Sequence, residues 1–452
     1  MSLLKRRMLF GSAWALGGRI ALAFTGLATS ALLGRLLSPR DFGVLFLAFS
    51  VVRFCSVFSL GLSSTALRFI AESLGLSQPG RARNVLIRIL VVGAISTSTI
   101  GAIYFLFGGS ILADLSRTPS LSTIAGLTSC WIFATSFQTL LGDIFRGFHD
   151  IRLFAIFGKS DAGFGSLMTG VLLAAGLAVL WVSGGRSDLV TVTFFAVGSG
   201  LTSVLLASWM LGTKLKSLPS EEEQESSIGY GQILGVAWPL VVSNFVSIAL
   251  VQTSFWIVAA FRPETEVASY GAAWRLIALV VVPLLIVNTV VSPLVAESYA
   301  QGRTEALQKV LRDTATVAGV PALVVLLCFV LFGGPVLGIV FGDYYRQAAL
   351  LLTVLGLGHL VMVWMGSSGI VMAMTGHQTL QMVISTFAAA ITIAAGFISV
   401  RYYGTLGVAV CTAAGMALQS VLEWLGTRFT TGMWTHMSPG SLPQLVRTLR
   451  GK

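Results

Sequence analysis

Three arginines fall deep inside long apolar runs of this 452-residue chain: Arg19, Arg53 and Arg275. An ionised group at the centre of a bilayer costs about 2.5–3.5 kcal/mol on the insertion scale, so such residues line a wet cavity or meet an opposite charge. Arginine stays protonated and offers a planar fork of donors that matches phosphate oxygens. Few acids share that depth; Asp161 and Glu423 are the candidates. The expected outcome is a cationic cavity that receives a bulky anion. Asp161 reads as a proton carrier or as a counter-ion to a base. Lys159 lies two positions away, so the two do not share a helix face; it either snorkels to the inner surface or acts in the site. Glu423 lies about one turn from the inner end of its run. Asn244 falls about where Arg19 falls in the first half of the chain, and contacts a sugar or ion or bonds a neighbouring helix.

Other chemistries lack their parts. The four histidines are scattered: His149 and His377 in expected inner loops, His359 in an apolar run, His436 near the end. None meets a nucleophile at workable spacing, and no large outer loop carries a His/acid cluster, so no catalytic residue is expected. Cys55, Cys130, Cys328 and Cys411 lie far apart with no CxxC pair, which argues against a metal site or a disulfide framework. They read as small buried hydrophobes.

The elements that must hold the arginines follow from composition. Of the residues, 55% are hydrophobic and only 10% charged, against roughly 25% charged in a soluble domain. A spanning helix needs about 20 mainly apolar residues. Twelve such runs are read near 10–33, 42–66, 85–108, 121–142, 153–181, 190–212, 232–259, 269–294, 310–332, 348–373, 382–400 and 406–427. The remaining residues make short loops, with no room for a soluble domain. The net charge of +11 is spread along the chain rather than gathered into a basic tract; nucleic acid is therefore not an expected partner. With the N-terminus in the cytoplasm, inner loops hold most of the lysines and arginines. The positive-inside rule then places both termini inside. The basic start at Lys5, Arg6 and Arg7 mimics a signal peptide, but the long run behind it reads as an uncleaved first helix. Prolines at 239, 283, 293 and 321 are expected to kink their helices. Trp181, Trp209, Trp256, Tyr344, Tyr345, Tyr402, Tyr403 and Trp434 fall at run ends and read as an interfacial belt.

The two halves echo each other. Gly11–Trp14 (GSAW) reappears as Gly235–Trp238 (GVAW), Phe42-Gly43 as Tyr270-Gly271, Ala71-Glu72-Ser73 as Ala296-Glu297-Ser298, and Gly80-Arg81 as Gly302-Arg303. The interval stays near roughly 225 residues throughout. Arg53 and Arg275 occupy nearly equivalent places. A unit of six helices is even, so both copies enter the membrane from the same side, as a parallel repeat about the membrane normal. The expected organisation is an N-lobe over 1–212, a cytoplasmic linker over 213–231 bearing Glu221, Glu222, Glu223 and Glu225, a C-lobe over 232–428, and a tail over 429–452. The fold class is an all-α polytopic membrane protein with about twelve helices in two six-helix lobes.

The stretch Gly34-Arg35-Leu36-Leu37-Ser38-Pro39-Arg40-Asp41-Phe42-Gly43, followed by Leu60-Gly61-Leu62-Ser63-Ser64 and Arg68-Phe69-Ile70-Ala71-Glu72, resembles the polysaccharide flippases of the multidrug/oligosaccharidyl-lipid/polysaccharide exporter superfamily. More distantly the chain resembles the lipid II flippase branch, in which arginines on helices one, two and eight line a central cavity; Arg19, Arg53 and Arg275 match those places. Asp41 resembles an acidic residue at the outer gate. Two departures argue against lipid II itself. That branch has a further arginine along helix one, where this chain has Thr25 or its neighbours, and it has fourteen helices.

The resemblance implies a MATE-like fold. It implies transfer of an undecaprenyl-pyrophosphate-linked oligosaccharide across the cytoplasmic (inner) membrane by alternating access. A proton or sodium gradient is the expected drive, with no bound cofactor. Asp41, Asp161, Glu423 and Lys159 are the candidates for gating or coupling, and Arg19, Arg53, Arg275 and Asn244 for substrate. Partners would be the lipid-linked oligosaccharide, with polysaccharide polymerase and glycosyltransferases around it. The alternatives are a peptidoglycan lipid II flippase and a multidrug exporter of the same superfamily, the latter favouring deep carboxylates over arginines.

Overall fold

The computed structural model describes residues 3–75, 78–115, 118–148, 150–158, 165–184, 187–216 and 229–438. Every regular element among them is helical. The first are α1 (Leu3–Leu36), α2 (Pro39–Cys55), α3 (Val57–Gly75) and α4 (Pro79–Ile103). A π-helical turn at Tyr104–Gly108 leads from α4 into α5 (Gly109–Leu115). Then come α6 (Ser120–Thr123), α7 (Ala125–Gly147), α8 (Ile151–Phe157), α9 (Leu167–Gly184), α10 (Leu189–Lys216) and α11 (Tyr230–Phe261). The rest is α12 (Glu264–Ala300), α13 (Thr304–Phe341), a 3₁₀ turn at Asp343–Ala348, α14 (Ala349–Met365), α15 (Ser368–Met374) and α16 (Gln378–Thr431).

Eleven of the twelve apolar runs fall mainly on helices, while the run 153–181 is divided between α8 and α9 with residues 159–164 outside the described set; among the described residues 7 helices are long and apolar enough to cross a membrane. Large apolar side chains stand outward, Val182 at 84% exposure and Leu331 at 70%. Such a surface suits lipid rather than water. The chain is a multi-pass membrane protein. Helices and runs do not correspond one to one. At 54 residues, α16 would extend about 80 Å if straight, far beyond the ~30 Å hydrocarbon core. Its backbone breaks at Gly404 (φ 60, ψ −146), a left-handed φ open to glycine. The runs 382–400 and 406–427 are therefore two spans hinged at that residue.

The breaks in these helices fall away from Pro239, Pro283, Pro293 and Pro321. The backbone stays helical through Pro239 in α11 and through Pro283 and Pro293 in α12. In α13 the dihedrals leave the helical region at Phe332 (φ −127, ψ 17), just ahead of Pro335. The ring of a proline crowds the preceding turn and removes one N–H, which accounts for the site. The run 42–66 is cut at Ser56 into α2 and α3. The run 348–373 is cut at Gly366, with φ +72, into α14 and α15.

Compact packing divides the chain into Met1–Ala268 and Ser269–Lys452. The boundary falls after α11, one helix beyond the 213–231 linker, most of which lies outside the described residues. Aromatic contacts hold α11 to α2: Phe46 stacks on Phe255, and Phe54 meets Phe245 and Trp256 edge to face. The first unit has a core of Leu86, Ile89, Leu140, Ile144, Phe145 and their neighbours. In the second, Val291, Val295, Leu307, Leu311, Val371 and Met433 form a cluster.

Two expectations about side chains are corrected. Cys130 and Cys328 are exposed and Cys55 and Cys411 only half-buried; on a spanning helix an apolar position faces lipid as readily as protein. Trp181, Trp209, Tyr344, Tyr402 and Tyr403 do stand exposed. Trp256, Tyr345 and Trp434 pack against protein instead of standing exposed. Tyr345 is fully buried, and the two tryptophans pack on other rings.

Candidate functional site

Arg53 lies half-buried in the last turn of α2, beside the break at Ser56. The break has a local cause. The Ser56 hydroxyl donates to the Arg53 carbonyl (2.7 Å), and the Ser59 hydroxyl donates to the Ser56 carbonyl (2.7 Å). Serine hydroxyls compete with the helix ladder for carbonyls and bend it. At the matching places in the second half stand Ala278 and Val281. They carry no hydroxyl, and α12 runs on unbroken there. Discontinuous spans in transporters expose backbone polar groups where substrates or ions bind. A cation at a helix C-terminus also complements the exposed carbonyl ends.

An aromatic cluster forms around Phe54, the residue after Arg53. Phe54 meets Trp256 with centroids 4.8 Å apart and Phe245 at 5.1 Å. The Trp256 indole N–H donates to Ser50 Oγ at 2.8 Å. Sequence reasoning missed this cluster, though Ser50 and Phe54, one turn apart on α2, already shared a face.

The Ser38–Gly43 motif builds the start of α2. Ser38 accepts from the Asp41 N–H (3.2 Å) and donates to Asp41 Oδ2 (2.7 Å). Pro39 supplies the preset φ of the first turn. Asp41 thus serves as the acid of a helix cap. Phe42 is fully buried, and Gly43 abuts the Glu264 backbone. Arg40 reaches the Glu264 carboxylate at 3.6 Å.

In the second unit, Arg275 is 8% exposed on α12. Its neighbour Trp274 meets His359 of α14 edge to face at 5.5 Å. Tyr270, one turn earlier, donates to Thr412 of α16 at 3.3 Å. His359 bonds the Leu355 carbonyl through Nδ1, a structural contact on its own helix.

Glu423 is 9% exposed in α16. Gln419 Nε2 donates to its Oε1 at 2.9 Å and to Ser385 Oγ at 3.1 Å. Gln381 and Ser385, on the first half of the same helix, also bond the carboxyl. Gly369 presses so close that a Cβ there would stand 2.7 Å from Oε2. The carboxyl is thus held in a cage of neutral amides and a hydroxyl. The two pairs, Gln381 with Ser385 and Gln419 with Glu423, each have i,i+4 spacing, which was the readable signal.

The remaining candidates are placed less fully. Lys159 and Asp161 lie outside the described residues, as does His149. The backbones of Arg19 and Asn244 lie within α1 and α11, but their side chains are outside the described set. Among the described residues no group of three or more His, Cys, Asp or Glu side chains could hold a metal ion. At a loop start, Asp150 caps α8 through the Leu153 N–H (3.2 Å) and pairs with Lys214 of α10. Partial burial pushes its carboxyl upward, but the Lys214 hydrogen bond, the Leu153 N–H and the charges of Lys214 and Arg152 outweigh this and hold it below the usual carboxylate value.

A family model described as polysaccharide biosynthesis protein matches residues 9–299. The chain belongs to that family. A second model, MatE, matches residues 239–398. A curated relative, the probable low-salt glycan biosynthesis flippase Agl15 of Haloferax volcanii, is 24% identical over 262 residues, 54% of this chain. The match spans 52% of that relative, about half its length. Solved structures share the fold. A multidrug resistance MATE family transporter in an inward-facing conformation superposes with TM-score 0.73 at 15% identity, covering 92% of this chain and 97% of its own. A multidrug/oligosaccharidyl-lipid/polysaccharide superfamily transporter from Pyrococcus furiosus gives 0.66 at 17% identity, with 94% and 95% covered. The fold is MATE-like.

Proposed function

We propose that this chain flips a lipid-linked oligosaccharide, carried on undecaprenyl pyrophosphate, from the inner to the outer leaflet of the cytoplasmic membrane. The family match over residues 9–299 carries the reading. The arginines supply its chemistry. Arg53 at a broken helix and Arg275 on α12 would grip the pyrophosphate. The Phe54, Phe245 and Trp256 rings offer flat apolar faces to sugars. The lipid tail would stay in the bilayer while the glycan rides in an aqueous cavity. Arg19 and Asn244 complete the proposed substrate set, with Asp41 at the outer gate.

Alternating access needs a drive, read here as a proton or sodium gradient. Glu423 is the coupling candidate with the most support, because it is a buried carboxyl whose hydrogen-bond partners among the described residues are neutral. Lys159 and Asp161 remain candidates beside it. Both termini would face the cytoplasm, where glycosyltransferases deliver the substrate, and a polymerase would receive it outside.

Reconstitution in vesicles with an undecaprenyl-pyrophosphate oligosaccharide, read by lectin access to the outer face, tests this. Flipping should require the protein and fall at least tenfold in Arg53→Ala and Arg275→Ala. Wild-type rates in both variants would remove the arginine site. Export of an organic cation in place of the glycolipid would favour the multidrug reading suggested by the MatE match over 239–398.

A further inference from the structure

The seven residues that follow α16 read in sequence as part of the short, basic tail. In the structure they cross the second unit as a strap. Gly432 turns the chain with φ +74, and its N–H caps the Arg428 carbonyl at 3.0 Å. Arg428 returns a hydrogen bond to the Gly432 carbonyl and lies over the Trp434 ring, 4.7 Å from its centroid. Met433 is buried among Val291, Val295, Leu307, Leu311 and Val371. The Trp434 N–H donates to Gln308 Oε1 of α13 at 2.8 Å. Ser438 donates its N–H to Thr316 Oγ1, also on α13, at 3.0 Å.

The middle of the strap meets the break in span ten. Helix α14 stops at Met365, so its last carbonyls have no partner one turn ahead. The strap supplies the donors. Thr435 Oγ1 donates to the Met365 carbonyl at 2.8 Å, and the Met437 N–H donates to the Trp364 carbonyl at 2.9 Å. Thr435 is fully buried, and its own carbonyl lies against Gly366, where a Cβ would stand 2.5 Å away. The indole N–H of Trp424 on α16 donates to His436 Nδ1 at 3.0 Å, so that nitrogen carries no proton.

The joint that the strap covers is a junction of three helices. Ser367 donates to Asn288 of α12 at 2.6 Å. The Ser368 carbonyl accepts from Thr427 of α16 at 3.2 Å. Gly369 abuts the Glu423 carboxyl. Four successive residues, 366 to 369, thus touch four different partners, one of them the strap. A broken span that no longer has its own ladder is a place where a transporter bends.

We propose that residues 432–438 are a detachable splint, which docks on the span-ten break to hold it rigid and leaves it to let the break hinge. Thr435 and Met437 are its positioning residues. They touch no substrate and act through the carbonyls of Met365 and Trp364. Gly432 is the pivot. Water can take over the carbonyls at this helix end when the strap leaves, so release exchanges hydrogen bonds rather than abandoning them.

Two measurements test this on the full chain in lipid nanodiscs or vesicles. The first is hydrogen exchange, which needs no substrate. A detachable strap opens locally. The amides of Trp434, Met437 and Ser438 should therefore exchange at least tenfold faster than those of Leu352 and Leu355 in α14. Equal rates would mean the strap opens only when the unit unfolds, and would overturn the proposal. The second is a reversible tether. In a chain with its four native cysteines replaced by alanine, Thr316→Cys and Ser438→Cys are oxidised to a disulfide. Flipping of the lipid-linked oligosaccharide should drop at least tenfold on oxidation and return on reduction. Equal flipping in the oxidised and reduced forms would sink the splint as a moving part. Failure of the reduced, tether-free protein to flip any glycolipid would count against the flippase reading instead, and the exchange result would then decide the splint alone.

Discussion

Gly43 of α2 lies against the carbonyl of Glu264 so closely that a methyl group placed on it would overlap the oxygen. The obstacle is backbone, which cannot rotate away as a side chain would. Gly43→Ala must therefore push the start of α12 off α2, and overpacking of this kind costs about 1–3 kcal/mol. Purified Gly43→Ala should melt several degrees below the wild type. Gly212→Ala is the control, because a Cβ there meets nothing within 4 Å. Alanine in an open helical position should leave the melting point unchanged or raise it.

The Trp256–Ser50 hydrogen bond ties α11 to α2 within the aromatic seam. Ser50→Ala leaves the indole N–H without its partner in a largely buried place, at a cost of about 1–3 kcal/mol. Trp256→Phe removes the donor as well and keeps most of the ring contact with Phe54. A double-mutant cycle should give the pair a positive coupling energy, with Ser50→Ala harmless once Trp256 is already Phe. Additive losses would mean that the bond contributes nothing beyond ring packing.

The Asp150–Lys214 pair predicts an acid limit. Asp150 has a folded-state value below its ordinary 3.8. Its contribution is therefore complete above the unfolded value and is lost as pH falls through the folded one. Thermal melting followed from neutral pH down to about pH 3 should show a fall that Asp150→Asn flattens. The variant should differ most from the wild type near neutrality and converge with it in acid. A slope unchanged by the substitution would assign the acid limit to other carboxylates.

The spans were legible because an apolar run of about twenty residues has few other uses. Breaks within them were less so. The run 42–66 has no proline or glycine at residue 56; what breaks it is a pair of serine hydroxyls, a competition that a hydropathy pattern averages away. The Pro335 break in α13 shows the reverse case: that proline was not singled out by position, while the backbone at Pro321 in the same helix stays helical. Arg53 and Arg275 were found because charge in an apolar run stands out. The cage around Glu423 was not, because glutamine and serine are unremarkable until two helical segments bring them together. The strap at 432–438 was missed for the same reason: its bonds reach helices more than a hundred residues away, such as Trp434 to Gln308. The Ser38–Gly43 motif was recognised before its work was visible. It caps a helix and leaves room for another backbone.

Glu423→Gln separates charge from shape at the proposed coupling site. Glutamine fills nearly the same space and keeps one carbonyl oxygen to accept from Gln419, while its amide nitrogen only donates and the ionisable carboxyl is gone. Replacing a buried charge by a neutral group of similar volume is often neutral or stabilising. The variant should therefore melt within about 1 kcal/mol of the wild type or above it. Flipping driven by an imposed ion gradient should collapse to the gradient-free rate. Glu423→Leu should behave differently. It leaves three polar side chains without their partner, each worth about 1–3 kcal/mol when buried and unmet, and should lose stability and flipping together. If Glu423→Gln kept the full response to the gradient, the carboxyl would be a packing element of α16, and coupling would have to be sought at Asp161 or Lys159.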